Sequence, residues 1–180
     1  KVFHLPMQPG GLNFFKDIRT MYFIWKLLKK IQPDIVHLVT VKPYLYGGII
    51  SRLAGVSSLV SAVSGLGTLF IDKNTKNKFL RIMLYPIYKI AFNHINQKII
   101  IQNNDDLRTL LNWGVINPNK VSLLKGSGVD LSEFTNLKDP KGKFTICFAG
   151  RILRDKGVNE FIKAASIVRE RGKDVRFFLA

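Results

Sequence analysis

Phe144-Thr-Ile-Cys-Phe-Ala149, followed by Gly150-Arg151-Ile-Leu-Arg-Asp-Lys156-Gly157-Val158-Asn-Glu-Phe161-Ile-Lys-Ala164-Ala165, is the stretch from which the fold is read. A short apolar run with branched and aromatic residues predicts a buried strand. Glycines bracket the basic turn behind it, and an amphipathic helix is expected from about Val158. The first N–H groups of such a helix have no partner within it, and Arg151 and Lys156 bring positive charge to the same point. That point suits a diphosphate, with Gly150, Arg151 and Lys156 as its candidate ligands. Strand, glycine turn and helix also occur in α/β proteins that bind nothing there, so the stretch alone leaves both readings open.

Outward from it, the same alternation runs along the chain. Residues 35–39, 58–63, 98–102, 121–124, 144–149 and 175–179 read as strands, and 14–31, 45–54, 76–93, 105–113 and 158–171 as helices. Repeated β-α order predicts a parallel sheet covered by helices on both faces. In the first helix Phe14, Ile18, Met21, Trp25, Leu28 and Ile31 recur at steps of four and three, between a capping Asn13 and a terminating Pro33, and are read as core. The pattern breaks between Asp130 and Phe144 into a polar stretch with Pro140 and Gly142, then restarts. A domain boundary is placed there, giving 1–137 and 138–180.

The chain has 180 residues, 47% hydrophobic and 22% charged, enough for one sizeable domain or parts of two. No apolar stretch approaches the roughly 18 residues of a membrane span. The single Cys147 lies in a strand pattern and is expected to be a small buried core residue. No Asn-x-Ser/Thr sequon or signal-like start is seen, which favours a cytoplasmic setting. Lys1-Val-Phe-His-Leu5 is strand-like and the last residues stop inside another strand pattern, so the chain is read as a fragment cut at both ends. The net charge of +16 is spread along the chain, without the clustered cations and aromatics of a nucleic-acid module, so no nucleic-acid partner is expected.

Three loops are placed at the carboxyl edge of the sheet, where ligands bind in parallel α/β folds. They follow His37, contain Ser64-Gly65-Leu66-Gly67, and contain Lys125-Gly126-Ser127-Gly128. Each fits either a tight turn or a site for a close-lying ligand. His37 is read as a satisfied core histidine, with general base as the alternative. Neither glycine pair completes a dinucleotide fingerprint, and His4, His37 and His94 are scattered, so neither a cofactor nor a protein-held metal is expected. The basic and then apolar stretch from Lys73 to Phe92 could rest on an anionic membrane surface or lie between sheet and neighbour, and the first is preferred.

In order along the chain stand Lys-Lys-Ile-Gln-Pro33-Asp34-Ile-Val-His37, Gly47-Gly48-Ile-Ile-Ser-Arg52-Leu-Ala-Gly55, Ser64-Gly65-Leu66-Gly67 and Gln102-Asn103-x-Asp105-Asp106. Gly126-Ser127-Gly128-Val129-Asp130-Leu-x-x-Phe134 and Gly150-Arg151 to Lys156-Gly157-Val158 follow. This set resembles glycosyltransferase family 4, most of all bacterial members that extend lipid-linked sugars for capsule, O-antigen or protein glycans. The resemblance implies the GT-B fold class: a Rossmann-like, doubly wound parallel sheet for most of an N-terminal acceptor domain, then the first βαβ of a second Rossmann-like domain that binds nucleotide-sugar. It implies that 1–137 lacks the first strand and glycine loop of its domain. It matches Arg151 and Lys156 to cations on the donor diphosphate, and Gly65 and Gly67 to a cleft-facing loop, with His37, Gly126 and Gly128 on the same side. The family's acidic motif of two glutamates would lie beyond Ala180, and a catalytic histidine of some relatives has no counterpart in the Ser64–Gly67 loop, so the catalytic residues are not placed and the fragment is expected to be inactive.

The expected reaction is transfer of a hexosyl or N-acetylhexosaminyl group from a nucleoside-diphosphate sugar, a UDP-sugar by preference, to a lipid-linked sugar. Retention and independence of metal are implied by the resemblance. The alternatives are a GT-B sugar-nucleotide epimerase and, further off, a basic nucleic-acid-binding protein. The partners expected are the nucleotide-sugar donor, the lipid-linked acceptor and an anionic membrane surface at the inner face of the cytoplasmic membrane.

Overall fold

The computed structural model describes residues 2–7, 13–67, 70, 75–126, 128–139 and 141–180. It divides into two compact units, Lys1–Gly128 and Val129–Ala180.

In the first unit four parallel strands stand in the order β1 (Ile35–Val39), β2 (Ser58–Val63), β3 (Gln97–Ile101) and β4 (Val121–Leu123). Val36 lies opposite Leu59, Leu59 opposite Gln97, and Ile99 opposite Val121. Helix α1 (Phe14–Ile31) precedes the sheet. The strands are joined through a π-helical turn (Pro43–Gly47) with α2 (Gly48–Ala54), through α3 (Thr75–Ala91), and through α4 (Asn104–Asn112). The parallel α/β class is the one expected, and β1, β2 and α1 occupy the expected residues.

Because each strand leads to its neighbour in one direction, right-handed crossovers place the three connections on one face of the sheet. Burial agrees. Leu38, Leu59, Ser61, Val63, Gln97, Ile99 and Ile101 are buried on that face, while Ile35 is 63% and Val39 47% exposed on the other. Among the described residues the second face of β1 is open, while Val60, Ala62 and Ile100 on the same face of β2 and β3 are half-buried. Residues 2–7 form no strand, contrary to the strand-like reading of Lys1–Leu5; Lys1 itself lies outside the described residues.

The core between helices and sheet is aromatic. Tyr44 lies 5.3 Å from Phe92, and Tyr88 lies 4.9 Å and Phe70 5.1 Å from Trp113 by ring centroids. Gly47 and Gly48 are packing residues: a Cβ on Gly48 would fall 2.7 Å from the Ala91 carbonyl oxygen, and one on Gly47 2.5 Å from a Leu38 methyl. A polar knot closes the other end of the sheet. The buried Gln97 amide donates to Ser61 Oγ at 3.0 Å and Ala91 O at 3.1 Å and accepts from His94 N–H at 3.0 Å. His94 Nε2 meets Val56 O at 3.0 Å, so His94 is a structural residue.

Helix α1 is capped as its sequence requires. Asn13 Oδ1 accepts the Lys16 N–H, and Gln32 turns into the left-handed region at φ 48° before Pro33. Its core side is only partly the one read from periodicity: Leu28 is buried and Met21 packs against the core, as expected. Thr20, Ile24 and Leu28 are buried, whereas Phe14 is 73% exposed and Ile18, Trp25 and Ile31 are also on the surface.

The second unit pairs β5 (Thr145–Phe148) in parallel with β6 (Arg176–Leu179), joined through a 3-10 turn (Arg154–Lys156) and α5 (Val158–Glu170). Phe161 of α5 packs against Phe148 and Phe177, at 5.5 and 5.7 Å. Cys147, expected to be buried, is exposed. The cause is geometric: two strands and one helix cover one face, and Cys147 alternates onto the other.

Candidate functional site

The loop behind β5 is built from the backbone outward. Gly150 N–H bonds to Ala180 O at 3.3 Å, extending the β5–β6 pairing to the point where the chain turns. Arg151 O accepts from Leu153 N–H at 2.8 Å, and the 3-10 turn follows with Lys156 N–H on Leu153 O at 3.0 Å. Gly157 then takes φ +85°, a left-handed conformation that favours glycine. As the cap of α5 it has no side chain to offer, so the cap position itself makes no side-chain hydrogen bond to the helix.

The contrast with two other helices is chemical. Asn13 accepts an N–H of the first turn of α1, and Asn103 accepts the Asp106 N–H of α4 at 2.8 Å. Asn103 also donates to Asp106 Oδ2 at 2.8 Å, so Gln102-Asn103-x-Asp105-Asp106 is a closed cap. At α5 the cap residue Gly157 supplies no such acceptor, the Glu160 carboxylate stands in the first turn 3.9 Å from where a Gly157 Cβ would be, and Arg151 and Lys156 are exposed on the turn that leads in. Such an end attracts an anion by its oriented N–H dipoles and by the cations.

The other residues expected at a site lie in the first unit. His37 is the third residue of five in β1, exposed on the open sheet face opposite Val60, which corrects its reading as a core histidine at a strand end. Gly65 and Gly67 follow β2. Gly67 has φ +71° and Gly65 an ordinary φ, and neither would meet an atom within 4 Å on gaining a Cβ. Gly126 and Gly128 follow β4 with φ +74° and +71°, again in open space. Ser127 lies outside the described residues. The loops after β2 and β4 share one sheet edge but are two strand spacings apart, roughly 10 Å. Asp130 Oδ1 accepts the Ser132 N–H at 2.9 Å and hydroxyl at 2.6 Å, and these bonds hold its carboxyl below the ordinary pKa.

Periodicity missed a cluster beside the β1 loop. Thr40 adopts φ +72°, unusual for a branched residue, and the chain then enters the π-helical turn. Lys42 Nζ bonds Asp17 Oδ1 of α1 at 3.0 Å, and Tyr46 also hydrogen-bonds Asp17. Burial opposes ionisation of Asp17, but the hydrogen bonds from Lys42, Tyr46 and the Asn13 backbone outweigh it and hold the pKa below the usual carboxylate value. A lysine three residues past a strand end, next to Pro43, was the available signal.

Two helices present apolar surface outward. On α3, Tyr88 and Ala91 are buried, while Phe79, Ile82, Met83 and Ile90 are exposed along a line flanked by exposed Lys78 and Lys89. One side of the helix therefore packs in the core and the other is an exposed apolar face; Lys73 and Asn74, at the start of the stretch read from sequence, lie outside the described residues. No helix among the described residues is long and apolar enough to cross a membrane. No group of three or more His, Cys, Asp or Glu among the described residues is arranged to hold a metal ion.

The sequence model of the glycosyl transferase 4-like family matches residues 7–104, just over half of the chain. The chain is 29% identical to a UDP-Gal:alpha-D-GlcNAc-diphosphoundecaprenol alpha-1,3-galactosyltransferase of Escherichia coli, over 94% of this chain and 45% of that protein. It is 25% identical to an N,N'-diacetylbacillosaminyl-diphospho-undecaprenol alpha-1,3-N-acetylgalactosaminyltransferase of Campylobacter jejuni, over 97% of this chain and 50% of the relative. It is 24% identical to the capsular polysaccharide biosynthesis glycosyltransferase CapM of Staphylococcus aureus, over 99% and 49%. The chain spans about half the length of these curated relatives. With a family match over more than half of the chain that takes in α1 and strands β1 to β3 of the parallel sheet, the chain belongs to the glycosyl transferase 4-like family.

Proposed function

We propose that the protein containing this chain transfers a hexosyl or N-acetylhexosaminyl group from a nucleoside-diphosphate sugar, UDP-linked by preference, to a sugar carried on a lipid diphosphate. The first unit serves the acceptor and the second the donor. The reading is supported by the relatives, whose names specify galactosyl and N-acetylgalactosaminyl transfer to undecaprenol-linked sugars. The observation that carries it is the start of α5, a helix end behind a strand with a glycine at its cap and Arg151 and Lys156 exposed on its approach.

The chemistry follows from those groups. As the bond from the anomeric carbon to the diphosphate oxygen breaks, the sugar becomes cationic and negative charge grows on the departing phosphate. Fixed N–H dipoles and cations at that oxygen are worth more in the transition state than in the ground state. In this reading Arg151, Lys156 and the backbone around Gly150 supply them, without a metal and with retained configuration. Gly65 and Gly67 leave room for a ligand at the carboxyl edge of the sheet. The place of work is the inner face of the cytoplasmic membrane, to which the exposed apolar and basic face of α3 contributes.

The test is a radiolabelled-donor assay on the intact protein with and without a lipid-linked acceptor. Label should move to lipid only when acceptor is present. Arg151→Ala should lower turnover about 10²–10³-fold, corresponding to about 2.7–4 kcal/mol of lost transition-state stabilisation, with the unfolding temperature unchanged. Full turnover in that variant would refute the assignment, and donor conversion without acceptor would favour the epimerase.

A further inference from the structure

We propose that Lys42 is a substrate-binding residue, held by Asp17 and Tyr46 so that its ammonium group meets the diphosphate of the acceptor. This deepens the reading above and rests on it for the identity of the ligand; nothing in that reading assigns these three residues.

The cluster is arranged to fix one cation. Lys42 Nζ stands 3.0 Å from Asp17 Oδ1, Asp17 Oδ2 accepts the Asn13 N–H at 3.1 Å, and the Tyr46 hydroxyl donates to the same carboxylate. The Tyr46 ring lies 6.0 Å from Lys42 Nζ, close enough for a cation–π attraction. The Lys42 side chain is 15% and that of Asp17 14% exposed, and Tyr46 is buried. An ammonium group has three donors and Asp17 takes one, so the head can still donate to a ligand. The pair is neutral as a whole, and what it offers a ligand is a directed N–H group at contact distance.

Two departures from ordinary backbone bring the cluster together. Thr40 stands at φ +72°, and the π-helical turn Pro43–Gly47 follows directly on Lys42. Both cost stability, and such features gather at ligand clamps and other functional sites. A staple between α1 and the loop requires neither of them. Helix α1 is already seated through Ile24 and Leu28, and an apolar pair of similar volume holds partly buried elements together as well as ions do.

The neighbouring loop supplies room. Val39 lies opposite Ala62, so Lys42 and Gly65 each stand three residues beyond a matched pair at the carboxyl edge of the sheet. The two loops leave adjacent strands, roughly 4.8 Å apart, and Gly65 and Gly67 face open space. A fixed cation beside an open glycine loop suits a phosphate oxygen, for which lysine acts as a point charge. Because Lys42 belongs to the first unit, that oxygen is assigned to the acceptor and not to the donor.

The probe is farnesyl diphosphate, a soluble lipid diphosphate without sugar, titrated calorimetrically into the intact protein held in saturating UDP so that a donor site is filled. Wild type should bind it, and Lys42→Met should bind it at least about tenfold more weakly. Lys42→Arg, which keeps the charge, should restore most of the affinity. Asp17→Asn should weaken binding in the wild-type background and have no further effect in Lys42→Met, as a positioning residue that acts through Lys42 requires. Undiminished binding in Lys42→Met, displacement of the probe by UDP, or parallel weakening of UDP and farnesyl diphosphate in Lys42→Met would overturn the proposal. Lys42-dependent binding in a protein that transfers no sugar would keep this site and refute the transfer reading, whereas transfer to a lipid-linked acceptor that is indifferent to Lys42 would do the reverse.

Discussion

Gly48 is held to its type by the Ala91 carbonyl, 2.7 Å from where a Cβ would stand. Since that neighbour is backbone, Gly48→Ala should destabilise the protein by about 1–3 kcal/mol, read from chemical denaturation. Gly65 is the opposite case, with ordinary φ and open space, so Gly65→Ala should leave stability unchanged within about 0.5 kcal/mol. Any loss of turnover in Gly65→Ala then reports on room for the ligand. Gln97→Leu should cost about 3 kcal/mol, because it orphans the Ser61 hydroxyl, the Ala91 carbonyl and the His94 N–H together. The role of Gln97 was not legible in sequence: its partner Ser61 stands 36 residues away, and a glutamine before Lys98 reads as surface. The turn that carries Arg151 and Lys156 was legible, since adjacent glycines mark it and the apolar run behind it marks a strand end. Lys42 was less so, because its role depends on Asp17 from another element.

At the scale of elements, the ends of α1 were readable from Asn13 and Pro33, but its inward face was not. Apolar residues recur all along one side of the helix and past it, so spacing describes a stripe without saying which part meets the sheet. The neighbours α2 and the π-helical turn decide that, with Thr20, Ile24 and Leu28 on the buried side. Strand β5 shows the same limit, because an apolar run predicts burial only where neighbours cover both faces. The Asp17–Lys42 pair ties α1 to the β1 loop and carries a pH signature. The folded-state pKa of Asp17 is depressed, so its stabilisation is complete above the unfolded value near 3.9 and is lost as pH falls through the folded value. Thermal unfolding of wild type and Asp17→Asn should therefore differ at neutral pH and converge in strong acid. A constant difference across that range would show that the pair does not stabilise the fold by charge.

For the molecule as a whole, the alternation of strands and helices was enough to set the class, because parallel pairing needs crossover helices. The strand order was not legible, nor was the placing of three connections on one face, since both depend on which neighbour each strand chooses. The compact units divide at 128/129, nine residues before the 137/138 boundary placed from composition. Polar loop residues give composition no edge to detect, whereas contacts assign 129–137 to the second unit. The +16 charge gives every phosphorylated ligand a common attraction, so discrimination must come from local geometry. The central proposal is therefore local: that the start of α5 grips the β-phosphate of the donor. Its most direct measurement is calorimetric titration of the intact protein with UDP and with UMP, in wild type and in Arg151→Ala with Lys156→Ala. Wild type should bind UDP at least about tenfold tighter than UMP, in keeping with about 1.5–3 kcal/mol for a hydrogen bond to a charged group. In the double variant that preference should collapse while UMP affinity holds, whereas an undiminished preference for UDP would contradict the account.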